Sequence, residues 1–532
     1  MSNETKSHGD VDVENVSLTS SELIIDERSA DSTLKFMETV GYKLIEGKEF
    51  TPEIRSRISK KKALYLLSLL VSINTVLFID KSSIGYGTLL YFFKDADITD
   101  GQYDDGNSIF YVGYFVGQFP FAYLLQKYNF GKSVSFILFA WSLIIFFTIF
   151  VKTYAGYIIV RLLLGLFESA IIPAIEISLS QFWTPKERTL INQIWWISCV
   201  GVPPIIAGFI SYGLLFSESS IHPWKFFMIF TGGLTFINSI LSFFFYPSDP
   251  SEAKWLTSEE KAFLIKEIQE TSNSSIAQKT VKYYQIKECL LDPISWLIAL
   301  IIFFLMISNN LMFQSNILYL SLGISNLGST LINVAGGGFA IIVQTSGALY
   351  TYYYDNTIFV TSIVSIIPAL AGGIAMVTIP WDNKLALVAM LVMIGNTFGL
   401  AFINVIGWSS SSCSGQTKKY YRNVLTFIFY SVSNIISPQI WKGNQGTRYY
   451  PAWIVQIICS FVIAPILIFI VWFILKKRNN ERLKYIAEHP DEKPQGQVKT
   501  IDPETGEEII EIVDIANLDL TDLENKFFIY PL

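Results

Sequence analysis

Apolar runs of about twenty residues recur along this chain. A run of that length crosses the ~30 Å hydrocarbon core as a helix, and in lipid only helices or closed barrels satisfy every backbone polar group. Twelve runs read near 63–91, 107–126, 133–151, 154–180, 190–215, 225–246, 295–321, 329–352, 357–379, 384–408, 423–441 and 452–475. The polar segment 248–294 divides them six and six. With 51% apolar and 16% charged residues, the expected fold is an all-α membrane protein: two six-helix bundles over 59–247 and 295–475. Residues 1–58 and the acidic stretch 476–532 are expected to be solvated tails, and both lack the apolar density for a core and read as disordered. The N-terminus lacks the early apolar core of a cleavable signal.

Charge sets the expected orientation. Residues 1–54 hold 12 acids and 5 bases, and residues 485–532 hold 12 acids and 3 bases. The tails therefore carry −16 and the remainder +10 against a net charge of −6. Bases gather at 55–62, Lys127, Lys132, Lys186, Arg188, in the central loop, at Lys418, Lys419, Arg422 and from Lys476 onward. The opposite loops hold few, and the first carries Asp95, Asp97, Asp100, Asp104 and Asp105. The positive-inside rule then puts both termini and the central loop in the cytosol. The sequons at Asn3, Asn15 and Asn273 would be cytosolic and unglycosylated. In the central loop, Thr257 and Glu260 form a capping-box pattern. Phe263, Leu264 and Ile268 recur at helical spacing, so a short amphipathic helix is expected, with Lys266 and Glu267 outward. The pairs Gly113–Gly117 and Gly395–Gly399 and the run Gly336–Gly338 are expected to permit close helix crossings.

Two charges, Arg161 and Glu168, stand inside the fourth run. A charge at bilayer depth costs at least ~2.5 kcal/mol. Seven residues bring them within about 20° of one helix face but roughly 10 Å apart along the axis. Each should meet something from another helix, as a structural charge network or as a substrate and proton pathway. In the first run, Asp80 and Lys81 lie at mid-depth. A carboxylate substrate needs a cation, and Lys81 and Arg161 are available. A coupling proton needs an acid, with Glu168 the first candidate and Asp80 the second; Glu176 reads as structural. Asn309, Gln314, Asn404 and Asn434 either line the cavity and read substrate polarity or bond between helices, as do Asn310 and Gln439. Four cysteines show no pairing or metal spacing, and the three histidines lie outside the apolar runs. No nucleophile–base constellation points to an enzyme, no cofactor beyond a proton is expected, and nothing points to nucleic acid.

The six-loop-six pattern resembles the major facilitator superfamily. Arg161, Gly165, Glu168 and Pro173 match its R-x-x-x-G-x-x-E pattern and following proline. QKYNFGK at 126–132 keeps only Gly131 and Lys132 of its signature between spans two and three. FIDKSSIGY, with Asp80 and Lys81, resembles the anion:cation symporter family. SGQTKKYYRNVLTFIFYSVSNIISPQIW at 414–441 is similar to the fungal allantoate permease group, with Ser414 and Ser437 as departures. SSSSCSGQTKK, YPAWIVQIICSF and the terminal LTDLENKFFIYPL resemble that group's cysteine-permease branch. The resemblance covers roughly 60–480. It implies a monomeric, proton-coupled symporter of a small organic anion or amino acid, working by alternating access. The membrane would be the plasma membrane, with the endoplasmic reticulum or vacuole as alternatives. Cysteine leads, with allantoate, nicotinate and pantothenate behind it; a passive facilitator or a signalling receptor without transport are the other readings.

Overall fold

The computed structural model describes residue 33 and residues 36–532, except 220, 273–281, 355, 442–447, 491–494, 502–507 and 515–519. The three sequons fall outside the described residues. Eleven helices among those described are long and apolar enough to span a membrane: α1 (Pro52–Leu89), α2 (Asp100–Leu125), α3 (Phe130–Thr148), α4 (Tyr154–Phe182), α5 (Trp195–Leu214), α6 (Pro223–Phe245), α7 (Pro293–Ser321), α8 (Asn326–Thr351), α9 (Ile358–Thr378), α10 (Lys384–Ser411) and α12 (Tyr450–Glu488). The twelfth, α11 (Gln416–Ile440), packs in the same bundle. Its Lys418, Lys419 and Arg422 make its first two turns polar. Below, the near end is the one bearing the start of α1 and the end of α12; the far end is the opposite one.

Close crossings follow small residues. A side chain on Gly113 or Gly117 of α2 would strike the Leu162 or Leu166 carbonyl of α4, and one on Gly165 would strike the Phe110 carbonyl. Gly337 of α8 similarly abuts the Gly201 carbonyl within α5, where an added Cβ would lie 2.6 Å away. The pair Gly395–Gly399 does not fit that expectation. A Cβ on Gly395 meets nothing within 4 Å, and one on Gly399 meets only Gln344, at 3.9 Å.

Helix breaks leave carbonyls that side chains satisfy, as a span requires. Pro173 has no N–H for the Ser169 carbonyl, α4 breaks at Ser169–Ala170, and Gln118 of α2 donates to that carbonyl at 3.1 Å. α7 tightens to a 3₁₀ turn over Ile307–Asn310, and Ser437 donates to its Ile307 carbonyl at 2.6 Å.

The tails depart from expectation. A disordered 1–58 is contradicted from residue 36 onward. Met37–Ile45 is helical, and Thr51 caps α1, whose first turns from Pro52 fall inside the expected tail. Its bases are not simply solvated: Arg55 pairs with Glu267 at 2.8 Å and Arg57 and Lys61 with Glu260 at 2.8 and 2.7 Å, all on the central-loop helix Ser258–Ser272. That helix has the capping box of Thr257 and Glu260, with N–H to side-chain bonds of 2.9 and 3.3 Å. Lys266 points outward, while Glu267 turns to Arg55. A second loop helix, Tyr283–Leu291, lies against α11. Beyond α12, strands β1 (Gln495–Ile501) and β2 (Glu508–Asp514) pair antiparallel, a small exception to an all-α chain. Residues 520–532 then dock on the C-terminal bundle, through contacts taken up below.

Candidate functional site

Between the bundles lies a cavity of about 190 Å³ bordered by α1, α4, α5, α7, α8, α10 and α11. Among the described residues no charged side chain lines it; its polar groups include Ser82, Ser315 and the amides Asn309, Asn316, Asn333 and Asn396. Phe78, Trp196, Phe402 and Tyr430 supply aromatic walls, and Gly395 and Gly399 border it without side chains. The glycine pair therefore borders open cavity space rather than a helix crossing.

The charges sit one layer behind this wall. Lys81 Nζ meets Glu168 Oε1 at 3.0 Å, with the two side chains 2% and 1% exposed. Five rings surround the ammonium: Phe78 at 5.4 Å, Phe110, Tyr111 and Tyr114 at 5.6 Å, and Tyr430 at 5.9 Å. Ring faces attract a cation, by about 2 kcal/mol or more when water is excluded. That offsets part of the cost of burying the pair, which is several kcal/mol per ion. Phe78 and Tyr430 belong both to this cage and to the cavity wall. The cage is built by both bundles, since Tyr430 comes from α11.

Adjacent residues on a helix point about 100° apart, so Asp80 does not share the cage. Its carboxylate accepts the Trp141 indole N–H of α3 at 2.9 Å. Arg161 donates to the Gly106 carbonyl at 3.3 Å and to Asn107 Oδ1 at 2.8 Å, with its guanidinium 4.7 Å from the Phe110 ring. The guanidinium is engaged by α2, and Arg161 does not line the cavity. Thus Arg161 and Glu168 each meet a different helix, and neither meets the other.

The amides divide. Asn309 lines the cavity and donates to Tyr111 at 3.2 Å and to Asn434 Oδ1 at 2.7 Å. Gln314 instead donates to Asp104 of α2 at 2.8 Å. Asn404 donates to Thr361 of α9 at 2.8 Å and does not line the cavity. Sequence reasoning missed Asn316, Asn333 and Asn396 in the cavity and the three cage tyrosines. An amide in an apolar run was the available signal for the first group. The tyrosines, in aromatic-rich spans, carried none.

The far end is sealed between bundles. Besides Gln314 to Asp104, Asn316 donates to the Gly85 carbonyl at 3.0 Å, Asn326 to the Leu89 carbonyl at 3.1 Å, and Ser108 to the Ile435 carbonyl at 3.1 Å. Toward the near end, the same interface holds a smaller cavity of about 30 Å³, bordered by Gln118, Glu176, Tyr420 and Asn423.

Residues 70–438 match the Major Facilitator Superfamily model. The chain belongs to the major facilitator superfamily. It is 40% identical to an uncharacterized transporter of Schizosaccharomyces pombe, over 94% of this chain and 88% of that one. It is 38% identical to the high affinity cysteine transporter of Saccharomyces cerevisiae, over 96% of this chain and 97% of that one. The allantoate permease of the same yeast is 25% identical, over 91% and 88%. In fold it matches a proton:xylose symporter with TM-score 0.61 at 11% identity, covering 77% of this chain and 96% of that one. The chain is thus an integral membrane protein and a secondary transporter of the major facilitator type.

Proposed function

We propose that this transporter imports cysteine, or a small carboxylate of similar size, across the plasma membrane together with a proton, working as a monomer. The observation that carries the reading is the Lys81–Glu168 pair, buried one side chain behind a small uncharged cavity. In the described arrangement Glu168 occupies the ammonium that a substrate carboxylate would need. A proton on Glu168 releases Lys81, and a carboxylate then takes its place. Proton and substrate strengthen each other's binding by the same factor, as linkage requires. Tyr430, on the opposite bundle, leaves the cage when the bundles rock apart, which ties access to Lys81 to alternating access. The cavity amides suit the ammonium and polar groups of a small amino acid.

Arg161 acts in this reading by holding α2 to α4, and Asp80 by anchoring α1 to α3. The distribution of bases supports a cytosolic near end, so the sealed far end is the extracellular one. The similarity to a cysteine transporter over nearly full length favours cysteine; the weaker similarity to an allantoate permease keeps other carboxylates as the second reading. Uptake into transporter-deficient cells, with labelled cysteine, allantoate, nicotinate and pantothenate compared, tests this. Saturable cysteine uptake that a protonophore abolishes is expected. A preference for another carboxylate would replace the substrate, and accumulation that survives the protonophore would remove the proton.

A further inference from the structure

Residues 520–532 lie across the near end of the C-terminal bundle, held as a peptide is held in a groove. Buried Asp522 meets Lys418 Nζ at 2.7 Å and accepts the Tyr530 hydroxyl at 2.9 Å. Ser414 donates its hydroxyl to the Leu520 carbonyl at 2.8 Å. Asn479 brackets Tyr530, donating to its carbonyl and accepting its N–H, both at 2.8 Å. The Trp408 indole donates to the Pro531 carbonyl at 2.8 Å, and Arg482 donates to the carbonyls of Asp522 and Phe528. Burial pushes the Asp522 carboxyl up, but Arg422, Lys418 and the hydrogen bonds from Lys418 and Tyr530 outweigh it and hold it below the ordinary carboxylate range.

Apolar burial is partial. Tyr530 is fully buried and Phe528 and Leu532 pack partly buried against the core, while Leu523 and Ile529 are each 43% exposed. A segment fixed by polar anchors, one buried ring and a few partly buried side chains can leave without opening the bundle core. Its departure changes the local charge: Lys418, Arg422, Arg478 and Arg482 then face Glu288 and Asp292 without Asp522.

The groove lies beside the interface between the bundles. Ser414 and Lys418 flank Gly415, whose φ of +86° makes the turn into α11 in a conformation that glycine adopts freely. Gln285 of the helix Tyr283–Leu291 accepts the Lys418 N–H at 3.1 Å. Tyr420 and Asn423, in the first turns of α11, border the near-end cavity together with Gln118 and Glu176 of the N-terminal bundle, across that interface.

We infer that residues 520–532 are a tethered peptide ligand of the groove formed by the α10–α11 turn, the helix Tyr283–Leu291 and α12, and that transport requires the groove to be occupied. Occupancy fixes the turn from which Tyr420 and Asn423 reach the interface with the N-terminal bundle. This does not depend on which solute is carried.

A protease site placed between residues 514 and 520 tests it. The purified, folded protein is cut, washed with excess unlabelled peptide and then buffer, and reconstituted. A fluorescent synthetic peptide of residues 520–532 should bind the cut protein saturably. The same peptide with Asp522→Lys should bind at least thirtyfold more weakly, which is about 2 kcal/mol. Cut and washed vesicles should exchange substrate at least fivefold more slowly, with added peptide restoring the rate. A segment that cannot be washed out is a core element, and the ligand reading fails. Undiminished exchange in vesicles shown to lack the segment refutes the requirement for occupancy.

Discussion

Lys81 and Glu168 are both almost fully buried and 3.0 Å apart, so removing either one strands a charge. Stranding one member of a buried pair costs about 3–5 kcal/mol, whereas replacing both members by apolar groups is neutral or stabilising. Lys81→Met and Glu168→Leu should each lower unfolding stability by about 3 kcal/mol or more, and the double variant should recover most of that loss. The coupling energy from the cycle should then be at least about 3 kcal/mol, the upper range for residues in direct contact. Denaturant unfolding of the purified protein in mixed micelles measures it. The recovered double variant should still fail to accumulate substrate, because it has neither the cation nor the proton carrier. Single variants within about 0.5 kcal/mol of wild type would mean that the two groups do not form a buried pair. A stable double variant that accumulates substrate normally would make the pair structural. The same cycle between Asp80 and Lys81 should show little coupling, since Asp80 is bonded to Trp141 instead.

Arg161→Lys keeps the charge but cannot reach both Gly106 and Asn107 as the guanidinium does. Hydrogen bonds to charged groups contribute about 1.5–3 kcal/mol, so transport should fall roughly tenfold or more at normal surface expression; unchanged kinetics would show that this tie is dispensable. Gly395→Val should block transport while leaving the melting temperature unchanged, since its Cβ meets nothing within 4 Å, whereas Gly165→Ala strikes the Phe110 carbonyl and should destabilise the fold. Thermal melting beside uptake separates the two, and a Gly395→Val that transports normally would remove the cavity from the substrate path. Burial pushes the Glu260 carboxyl up, but Lys61, the Thr257 N–H and Arg57 outweigh it and hold it below its ordinary value. A lowered folded pKa stabilises above the unfolded value of about 4.3 and loses that stability as pH falls through the folded one. Protection of the Ser258–Ser272 amides, corrected for intrinsic exchange, should therefore fall on acidification below about pH 4, and protection indifferent to that change would contradict the assignment.

The twelve spans were legible because lipid imposes a run length, and the six-loop-six division because the central loop is polar. The need of Arg161 and Glu168 for partners on other helices followed from helix geometry alone. Which partners they take did not: Asp80 and Lys81 are neighbours in sequence, and only the packing of α1 against α3 and α4 sends them apart. The cage tyrosines look like any aromatic in an apolar run. A buried amide in a span either bonds a neighbouring helix, as Asn404 does, or faces the cavity, as Asn396 does, and spacing does not distinguish these. Gly395 and Gly399 carry the pattern of a crossing but sit where no helix crosses. The terminal segment read as a solvated tail because its anchors are polar, and the composition of residues 485–532 hides how specifically Asp522 and Tyr530 are met.

The central claim is that Glu168 carries the coupling proton while Lys81 receives the substrate. Glu168→Gln removes the proton carrier but leaves an amide oxygen that can still accept from Lys81. Purified wild type and Glu168→Gln in vesicles would be compared for counterflow with substrate on both sides, and for uphill uptake driven by an imposed pH gradient. The account predicts counterflow in both and uphill uptake in wild type alone. Uphill accumulation by Glu168→Gln would contradict it and transfer the coupling role to another acid, Asp80 first.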